Sequence, residues 1–528
     1  MQNDTIVAIA TPPGIGGLGI IRVSGPDAFA TVLPLLRQAG GRTDLPQSHL
    51  LTYGHIVDPA SGEIFDEVLV AFMRAPRTYT REDVAEIQGH GGPLVLQRVL
   101  QLILAQGVRL ARPGEFTMRA FLNGRLDLAQ AEAVMDLIQA QTEAGLRLAM
   151  QQFRGRVSAQ VQDARHHIQG AVARIEASID FPEEDVPTPQ PEELRPLVTA
   201  AQQQVDALLA GSEQGRLYRQ GLRTAIIGRP NVGKSSLLNA LLRSERAIVT
   251  PIAGTTRDTV EEVANLRGIP LHLIDTAGIT PTDDPIEQIG VQRSRAAAEN
   301  ADMILLVFDG AEQLTGQDYL VSRELQAMGF GLDEPAAIVE SRNVGPRGAA
   351  PGGGTLSGGQ VMGVSPNLLS PAPPQAASRE NLPLEIGESG AGTLARRPVI
   401  MVVNKVDRPQ LLQVDQVRSL WPGAPLVRTS TLTGSGLSDL EETIAGLVLA
   451  GKVLHRDSVL VTSARHQDAL RRAARHLQAS LATLEQGLPL DFVSIDLRAA
   501  YDALGEVTGA AVSEDLLERI FSEFCIGK

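Results

Sequence analysis

Eight residues, Gly228-Arg-Pro-Asn-Val-Gly-Lys-Ser235, carry the spacing G-x-x-x-x-G-K-[ST] that cradles nucleotide phosphates. Glycines let backbone N–H groups approach phosphate oxygens closely, and a helix N-terminus behind the loop adds positive potential. Lys234 would reach the outer phosphates and Ser235 a magnesium ion. The apolar residues 224–227 before the loop and Ser236-Leu-Leu-Asn-Ala-Leu-Leu after it predict the strand, loop and helix this chemistry needs. Alone, the motif specifies a nucleotide and no particular base.

Three further strings narrow the base and the reaction. Asp275-Thr-Ala-Gly278 follows the apolar residues 271–274. A carboxylate at that strand end can hold magnesium, and a glycine N–H can sense the terminal phosphate. Pro398-Val-Ile-Met-Val-Val predicts a buried strand that runs into Asn404-Lys-Val-Asp407. Guanine presents N1–H and N2–H₂ side by side, and the Asp407 carboxylate can accept from both. Adenine lacks that pair and would leave buried polar groups unpaired, which is costly. Gly254-Thr-Thr-Arg-Asp258, between the loop and Asp275, is placed to supply a switch threonine. Any one of these strings occurs in ordinary turns. The four in this order resemble the translation-factor-like branch of GTPases.

Two departures bear on hydrolysis. Ile279 stands where Ras-like proteins carry a glutamine that orients water, and an apolar side chain cannot do so. Asn231 places a neutral oxygen ligand in the phosphate loop. It is either a loop-stabilising amide or a ligand for a potassium ion in the position of an arginine finger, with Arg257 the rival charge donor.

These residues need elements to position them, and 528 residues provide for several domains. The composition, 43% hydrophobic and 20% charged, is that of a globular protein. With 3% aromatic residues there is little material for base stacking, and a net charge of −14 argues against a broad non-specific nucleic-acid surface, though not against a local basic patch. The single cysteine, Cys525, excludes an intrachain disulfide and a multi-cysteine zinc site. Neither a signal peptide nor a membrane span is expected, which makes the cytoplasm the default location.

Residues 1–120 read as α/β, with β-like runs at 6–9, 19–23 and 67–72 and a helix at 94–105. Residues 126–217 show helical periodicity, as at Val134, Leu137, Ile138 and Leu146, and Asp180-Phe-Pro-Glu-Glu-Asp-Val-Pro divides them into at least two helices. Residues 466–486 and 497–523 are again helical. A helical domain interrupted by an inserted GTPase domain follows. Asn404 stands 126 positions after Gly278, too far for the elements expected between them. Residues 331–397, rich in Gly, Pro, Ser and Ala, read as a disordered surface insertion.

The chain ends carry longer signatures. Asp4-Thr-Ile-Val-Ala-Ile-Ala-Thr-Pro-Pro-Gly, Gly16-Gly-Leu-Gly-Ile-Ile-Arg-Val-Ser-Gly25, Glu86-Ile-Gln-Gly-His-Gly-Gly92, Arg112-Pro-Gly-Glu-Phe116, Ala120-Phe-Leu-Asn123, Leu126-Asp-Leu-Ala-Gln-Ala-Glu132 and Phe524-Cys-Ile-Gly-Lys528 resemble the tRNA-modification GTPase family MnmE (TrmE). The resemblance covers essentially the whole chain except the insertion.

It implies a multidomain α/β plus all-α protein: an N-terminal folate-binding, dimerising α/β domain (1–120), a discontinuous helical domain (121–218 and 451–528, the latter with the C-terminal tail), and an inserted Ras-like P-loop GTPase domain (219–450). It also implies a homodimer that forms a heterotetramer with an FAD-dependent partner and acts on tRNA. There it would install a carboxymethylaminomethyl or aminomethyl group at C5 of the wobble uridine. A tetrahydrofolate derivative, in the 5-formyl or 5,10-methylene form, would supply the one-carbon unit.

By the same resemblance Arg22, Glu86 and Lys528 contact the folate, and Arg125 stands where a lysine is familiar, which keeps the charge but not the geometry. Asn231, Val232, Gly233, Lys234, Ser235 and Ser236 would hold phosphates. Thr250, Pro251, Ile252, Ala253, Gly254, Thr255 and Thr256 would line the nucleotide with Asp275, Thr276, Ala277 and Gly278, and Asn404, Lys405, Asp407 and Ser430 would hold the base. Ser235 and Thr256 would ligate Mg²⁺; Asn231, Thr250, Ile252 and Thr255 would ligate K⁺, as hard cations favour oxygen. Glu287 aligns with the acidic residue that orients the attacking water. Cys525 is either a nucleophile toward uridine C6 or a core thiol, and His90 between glycines reads as structural. Ser430-Thr-Leu432 replaces the usual Ser-Ala-Lys/Arg, so the basic stem beside the base is missing. The alternative class is a ribosome-assembly GTPase acting as an RNA-binding switch; it would have no need of the N-terminal signatures or the 524–528 tail.

Overall fold

The computed structural model describes residues 4–180, 187–244, 262–275, 295, 297–331, 397–449 and 459–528. The N-terminal part is a seven-stranded sheet of β1 (Ile6–Ile9), β2 (Gly16–Ser24), β3 (Leu36–Gln38), β4 (Leu51–Val57), β5 (Ile64–Met73), β6 (Val84–Gly91) and β7 (Arg109–Leu110). The spatial order is β3-β4-β5-β6-β2-β1-β7. Only β1 and β7 pair in parallel. Helices α1 (Ala28–Val32) and α2 (Pro93–Leu104) cover one face. Leu96, Val99 and Ile103 of α2 share a core with Val7, Ile21, Val23, Val68 and Val70 of the sheet. The strands expected at 19–23 and 67–72 are real but longer, since burial alternates along the whole of β5.

The chain then becomes helical: α3 (Glu115–Leu122), α4 (Leu128–Gln139), α5 (Glu143–Phe153), α6 (Arg156–Asp180), α7 (Pro191–Ala210) and α8 (Ser212–Gln220). Asp127 starts α4 with a capping box: the Gln130 N–H donates to Asp127 Oδ1 at 2.8 Å, and the Asp127 N–H to Gln130 Oε1 at 3.0 Å. The Thr142 hydroxyl caps α5 in the same position. This new cap divides the period read through residues 134–146 between two helices.

A six-stranded sheet follows: β8 (Leu222–Ile227), β9 (Glu262–Leu266), β10 (Ile269–Asp275), β11 (Met303–Asp309), β12 (Val399–Asn404) and β13 (Leu426–Arg428), in the order β13-β12-β11-β8-β10-β9. All pairs are parallel except β9 with β10. Helices α9 (Lys234–Ser244), α10 (Gly316–Ala327), α11 (Val414–Leu420) and α12 (Leu437–Leu449) complete this layer. Every residue of β11 and β12 is buried. Strands covered on both faces by helices need continuous apolar runs, and these have them.

Three helices end the chain: α13 (Ala464–Glu485), α14 (Leu490–Thr508) and α15 (Glu514–Ser522). Helices α6, α7, α13 and α14 form one bundle around Ile168, Ile175, Val198, Val205, Leu470, Leu477, Leu497 and Leu504. Half of this core therefore precedes the parallel sheet in sequence and half follows it. The helical run expected over 497–523 is broken, because Gly509 (φ 88°) terminates α14 and Ser513 caps α15. Among the described residues no helix is long and apolar enough to cross a membrane.

Candidate functional site

The phosphate loop joins the end of β8 to the start of α9. Its backbone is strongly bent, with Asn231 at φ 65° and Gly233 at φ 102°. A Cβ at Gly233 would lie 2.2 Å from the Asn404 Nδ2, so only glycine permits this approach. Lys234 Nζ donates to the Gly228 and Arg229 carbonyls at 2.9 Å each, which holds the ammonium across the mouth of the loop. Ser235 and Ser236 occupy the first turn of α9, directly after the loop. Val232 is buried beneath the loop.

The segment Asn404-Lys-Val-Asp407 at the end of β12 is fastened to that loop. Asn404 Nδ2 donates to the Val232 carbonyl at 3.0 Å, and its Oδ1 accepts from the Thr431 N–H at 3.3 Å. Lys405 Nζ donates to the Asn231 carbonyl at 2.7 Å and to Asp309 Oδ2 at 2.6 Å. Ser430 Oγ donates to Asp407 Oδ1 at 2.6 Å. That hydrogen bond holds the Asp407 carboxyl below its ordinary value. Leu432, in the place of the missing basic stem, is 83% exposed.

Asp275 ends β10, in register with Ile226 of β8 beside the loop. Thr250, Pro251, Ile252, Ala253, Gly254, Thr255, Thr256, Thr276, Ala277, Gly278, Ile279 and Glu287 lie outside the described residues, as does the insertion over 332–396.

A second cluster gathers the N-terminal candidates and the tail. Arg22 and Glu86 are cross-strand partners on β2 and β6, and Arg22 Nε donates to Glu86 Oε1 at 2.7 Å. The two are thus paired within the sheet, with side chains 15% and 18% exposed. Arg22 Nη1 donates to the Gly527 carbonyl at 3.3 Å, and the Phe116 N–H to the Lys528 carbonyl at 3.2 Å, so the tail is tied down onto this sheet and α3. Burial, aided by the Arg22 charge and opposed by Glu86, pushes the Lys528 ammonium below its ordinary value. Arg125 Nη1 donates to the Tyr79 carbonyl at 2.9 Å. The Tyr79 ring has the Arg125 guanidinium 4.7 Å from its centroid and that of Arg22 at 5.4 Å.

Tyr79 is the residue sequence reasoning missed, because it belongs to none of the quoted motifs. Cys525 is exposed, which removes the core-thiol reading. His90 pairs through Nδ1 with Asp66 Oδ1 at 2.6 Å, while its N–H donates to Asp66 Oδ2 at 2.8 Å, a contact that fixes the β6 end.

A mainly parallel sheet with a phosphate loop after β8 and Asn404, Lys405 and Asp407 after β12 defines a P-loop GTPase unit, carried here beside a seven-stranded sheet and a helical bundle. Family models agree: one described as "GTP-binding protein TrmE N-terminus" matches residues 5–125, and one described as "MnmE helical domain" matches residues 128–525. The tRNA modification GTPase MnmE of Geobacillus thermodenitrificans is 43% identical over 530 residues, covering 100% of both chains. That of Geobacillus kaustophilus is 42% identical with the same coverage. That of Bacillus subtilis is 41% identical over 527 residues, covering 99% of this chain and 100% of its own. The chain belongs to the MnmE family of tRNA modification GTPases.

Proposed function

We propose that this chain hydrolyses GTP as one step of tRNA wobble-uridine modification. It acts as a homodimer joined to an FAD-dependent partner in a heterotetramer, and the product is a carboxymethylaminomethyl or aminomethyl group at C5. The observation that carries this reading is the bonding of the guanine-reading segment to the phosphate loop through Asn404 and Lys405. It occurs in a chain whose full length matches MnmE relatives.

In this reading backbone N–H groups over 231–236 and Lys234 bind the phosphates of GTP. Asp407, oriented by Ser430, accepts from guanine N1–H and N2–H₂. Ser235 and Thr256 hold Mg²⁺, while Asn231, Thr250, Ile252 and Thr255 hold K⁺; when bound, the ions neutralise charge on the phosphates. Hydroxyl, amide and carbonyl oxygens fit both hard cations. Glu287 orients the attacking water that Ile279 cannot.

At the second cluster three cations and a carboxylate suit a folate, with Glu86 for ring N–H groups and Arg22, Arg125 and Lys528 for its carboxylates. The folate, when bound, supplies the one-carbon unit. The exposure of Cys525 beside this cluster supports its role as the nucleophile toward uridine C6.

The test is GTP hydrolysis by the full chain in K⁺ and in Na⁺. Hydrolysis stimulated by K⁺ alone, with the stimulation lost in Asn231→Ala, is expected. Equal rates in both salts, or an unchanged K⁺ response in Asn231→Ala, would remove the ion from the account. Glu287→Ala should slow hydrolysis and spare nucleotide binding.

A further inference from the structure

Both covalent connections between the parallel sheet and the helical layer run past one buried carboxylate. The outgoing connection is α8, which leads into β8 and the phosphate loop; the returning one is the segment before α13. The two are in close contact: a Cβ at Gly211 would stand 2.4 Å from the Leu460 side chain, and one at Gly215 would stand 2.3 Å from the Val461 backbone carbonyl. On α4, Asp136 Oδ1 pairs with Arg219 Nε of α8 at 2.7 Å, and its side chain is 6% exposed. On the returning segment, the Thr462 hydroxyl donates to Gln152 Oε1 of α5 at 3.0 Å and lies 3.4 Å from Asp136 Oδ2. A third link joins the turn between β9 and β10 to the cap of α5, where the Thr142 hydroxyl donates to the Gly268 carbonyl at 2.7 Å. β10 ends at Asp275, so this turn and the nucleotide side are opposite ends of one strand.

The other end of α4 reaches the tail. Leu128, Ala131, Val134 and Met135 of α4 pack in one core with Phe521 and Phe524, directly before Cys525. One rigid helix therefore touches the GTPase joint through Asp136 and the C-terminal tail through its apolar face.

We propose that Asp136 and Arg219 are positioning residues that couple the nucleotide state of the phosphate loop to the geometry of the Arg22–Lys528 cluster. α8 moves with β8, the ion pair passes the movement to α4, and α4 shifts Phe521 and Phe524 beneath the tail. The inference rests on the reading that GTP turnover serves a folate-dependent reaction at that tail.

The experiment measures the affinity of full-length protein for 5-formyltetrahydrofolate, by calorimetric titration in Mg²⁺ and K⁺, with GDP and with a non-hydrolysable GTP analogue. The wild-type ratio of the two affinities should differ from one by about fivefold or more, the usual scale of coupling between sites. Asp136→Asn and Arg219→Gln should bring the ratio to about one while the GTP hydrolysis rate stays within about twofold, and Arg219→Lys should restore part of it. Arg219→Gln changes a side chain one-third exposed, which guards against a folding defect of the buried variant. A ratio that persists in both variants, or a wild-type ratio of one with hydrolysis and folate binding intact, overturns the coupling. A wild-type chain that neither hydrolyses GTP nor binds the folate would instead overturn the functional reading beneath it.

Discussion

Asn404 holds the phosphate loop from below: its amide donates to the Val232 carbonyl at 3.0 Å, in the space that a side chain at Gly233 would occupy. The ends of β8 and β12 are thereby tied together, and Lys405, which donates to the Asn231 carbonyl at 2.7 Å, adds a second tie between the phosphate cradle and the segment carrying Asp407. Asn404→Ala should weaken nucleotide binding by about tenfold, the cost of an unpaired buried acceptor. Gly233→Ala, which forces Asn404 out, should cost more. Titration with a fluorescent GDP analogue checks both, and unaltered affinity in Gly233→Ala would contradict the packing.

Asp407 is the proposed base reader, and Ser430 orients it through a 2.6 Å hydrogen bond. Asp407→Asn exchanges an acceptor for a donor, which should cost GTP affinity at least about a hundredfold and favour a 2-oxo purine, xanthosine triphosphate, over GTP. Competition between the two nucleotides measures the change. Ser430→Ala should weaken GTP binding by only a few-fold.

Lys528 brings a pH dependence to the second cluster. Burial first, and then the Arg22 charge, depress its ammonium, so it loses its proton below the ordinary lysine range as pH rises. Affinity for the anionic folate should accordingly fall across alkaline pH before free lysine would titrate. Lys528→Met should lower affinity by about ten- to a hundredfold and flatten that alkaline fall. Binding titrations from pH 7 upward test the sign.

The helical layer has an acid-sensitive contact at Glu132. Burial alone would raise its carboxyl, but His466 and Arg465 outweigh burial and hold it at about 2, against an ordinary 4.5. A depressed carboxyl contributes stability that is complete above the ordinary value and is lost as pH falls toward the depressed one. Urea unfolding should therefore show falling stability below about pH 5, and Glu132→Gln should remove that part of the slope while lowering stability at pH 7. Asp136 runs the other way, since burial raises its carboxyl, so the comparison with Glu132→Gln isolates the effect.

The two residues that flank positions 332–396, Gly331 and Arg397, lie side by side. The Gly331 N–H donates to the Arg397 carbonyl at 3.0 Å. Arg397 Nη1 in turn donates to the Ala298, Glu299 and Ala301 carbonyls at 3.2, 3.1 and 3.0 Å, respectively. β12 begins beside this junction and carries Asn404 at its far end. Replacing 332–396 by a short glycine-serine linker should leave nucleotide affinity and GTP hydrolysis within about twofold, because the flanking residues lie adjacent and a short linker between adjacent ends costs little to close. A loss beyond tenfold would show that the segment serves the GTPase unit.

Local features were legible in the sequence. The strand at 6–9, the strand–loop–helix around Gly228–Lys234 and the strand before Asn404 depend on short apolar runs and on glycines with a backbone task. Relations between distant residues were not. The Arg22–Glu86 pairing depends on the register of β2 against β6, which periodicity does not encode. Asp136, Arg219 and Thr462 meet only after three separate segments fold together, and each looks like an ordinary polar residue on its own. Tyr79 escaped for the same reason. The break at Gly509 is hidden from periodicity, because apolar positions continue on both sides of that glycine.

In the proposed function, GTP turnover by this chain serves modification of the tRNA wobble uridine. Mass-spectrometric nucleoside analysis of tRNA from a strain lacking the chain tests it most directly. Loss of the C5-substituted wobble uridine, restored by the wild-type chain and not by Asp407→Asn, is the predicted result. Unaltered wobble uridine in the deletion strain would contradict the account.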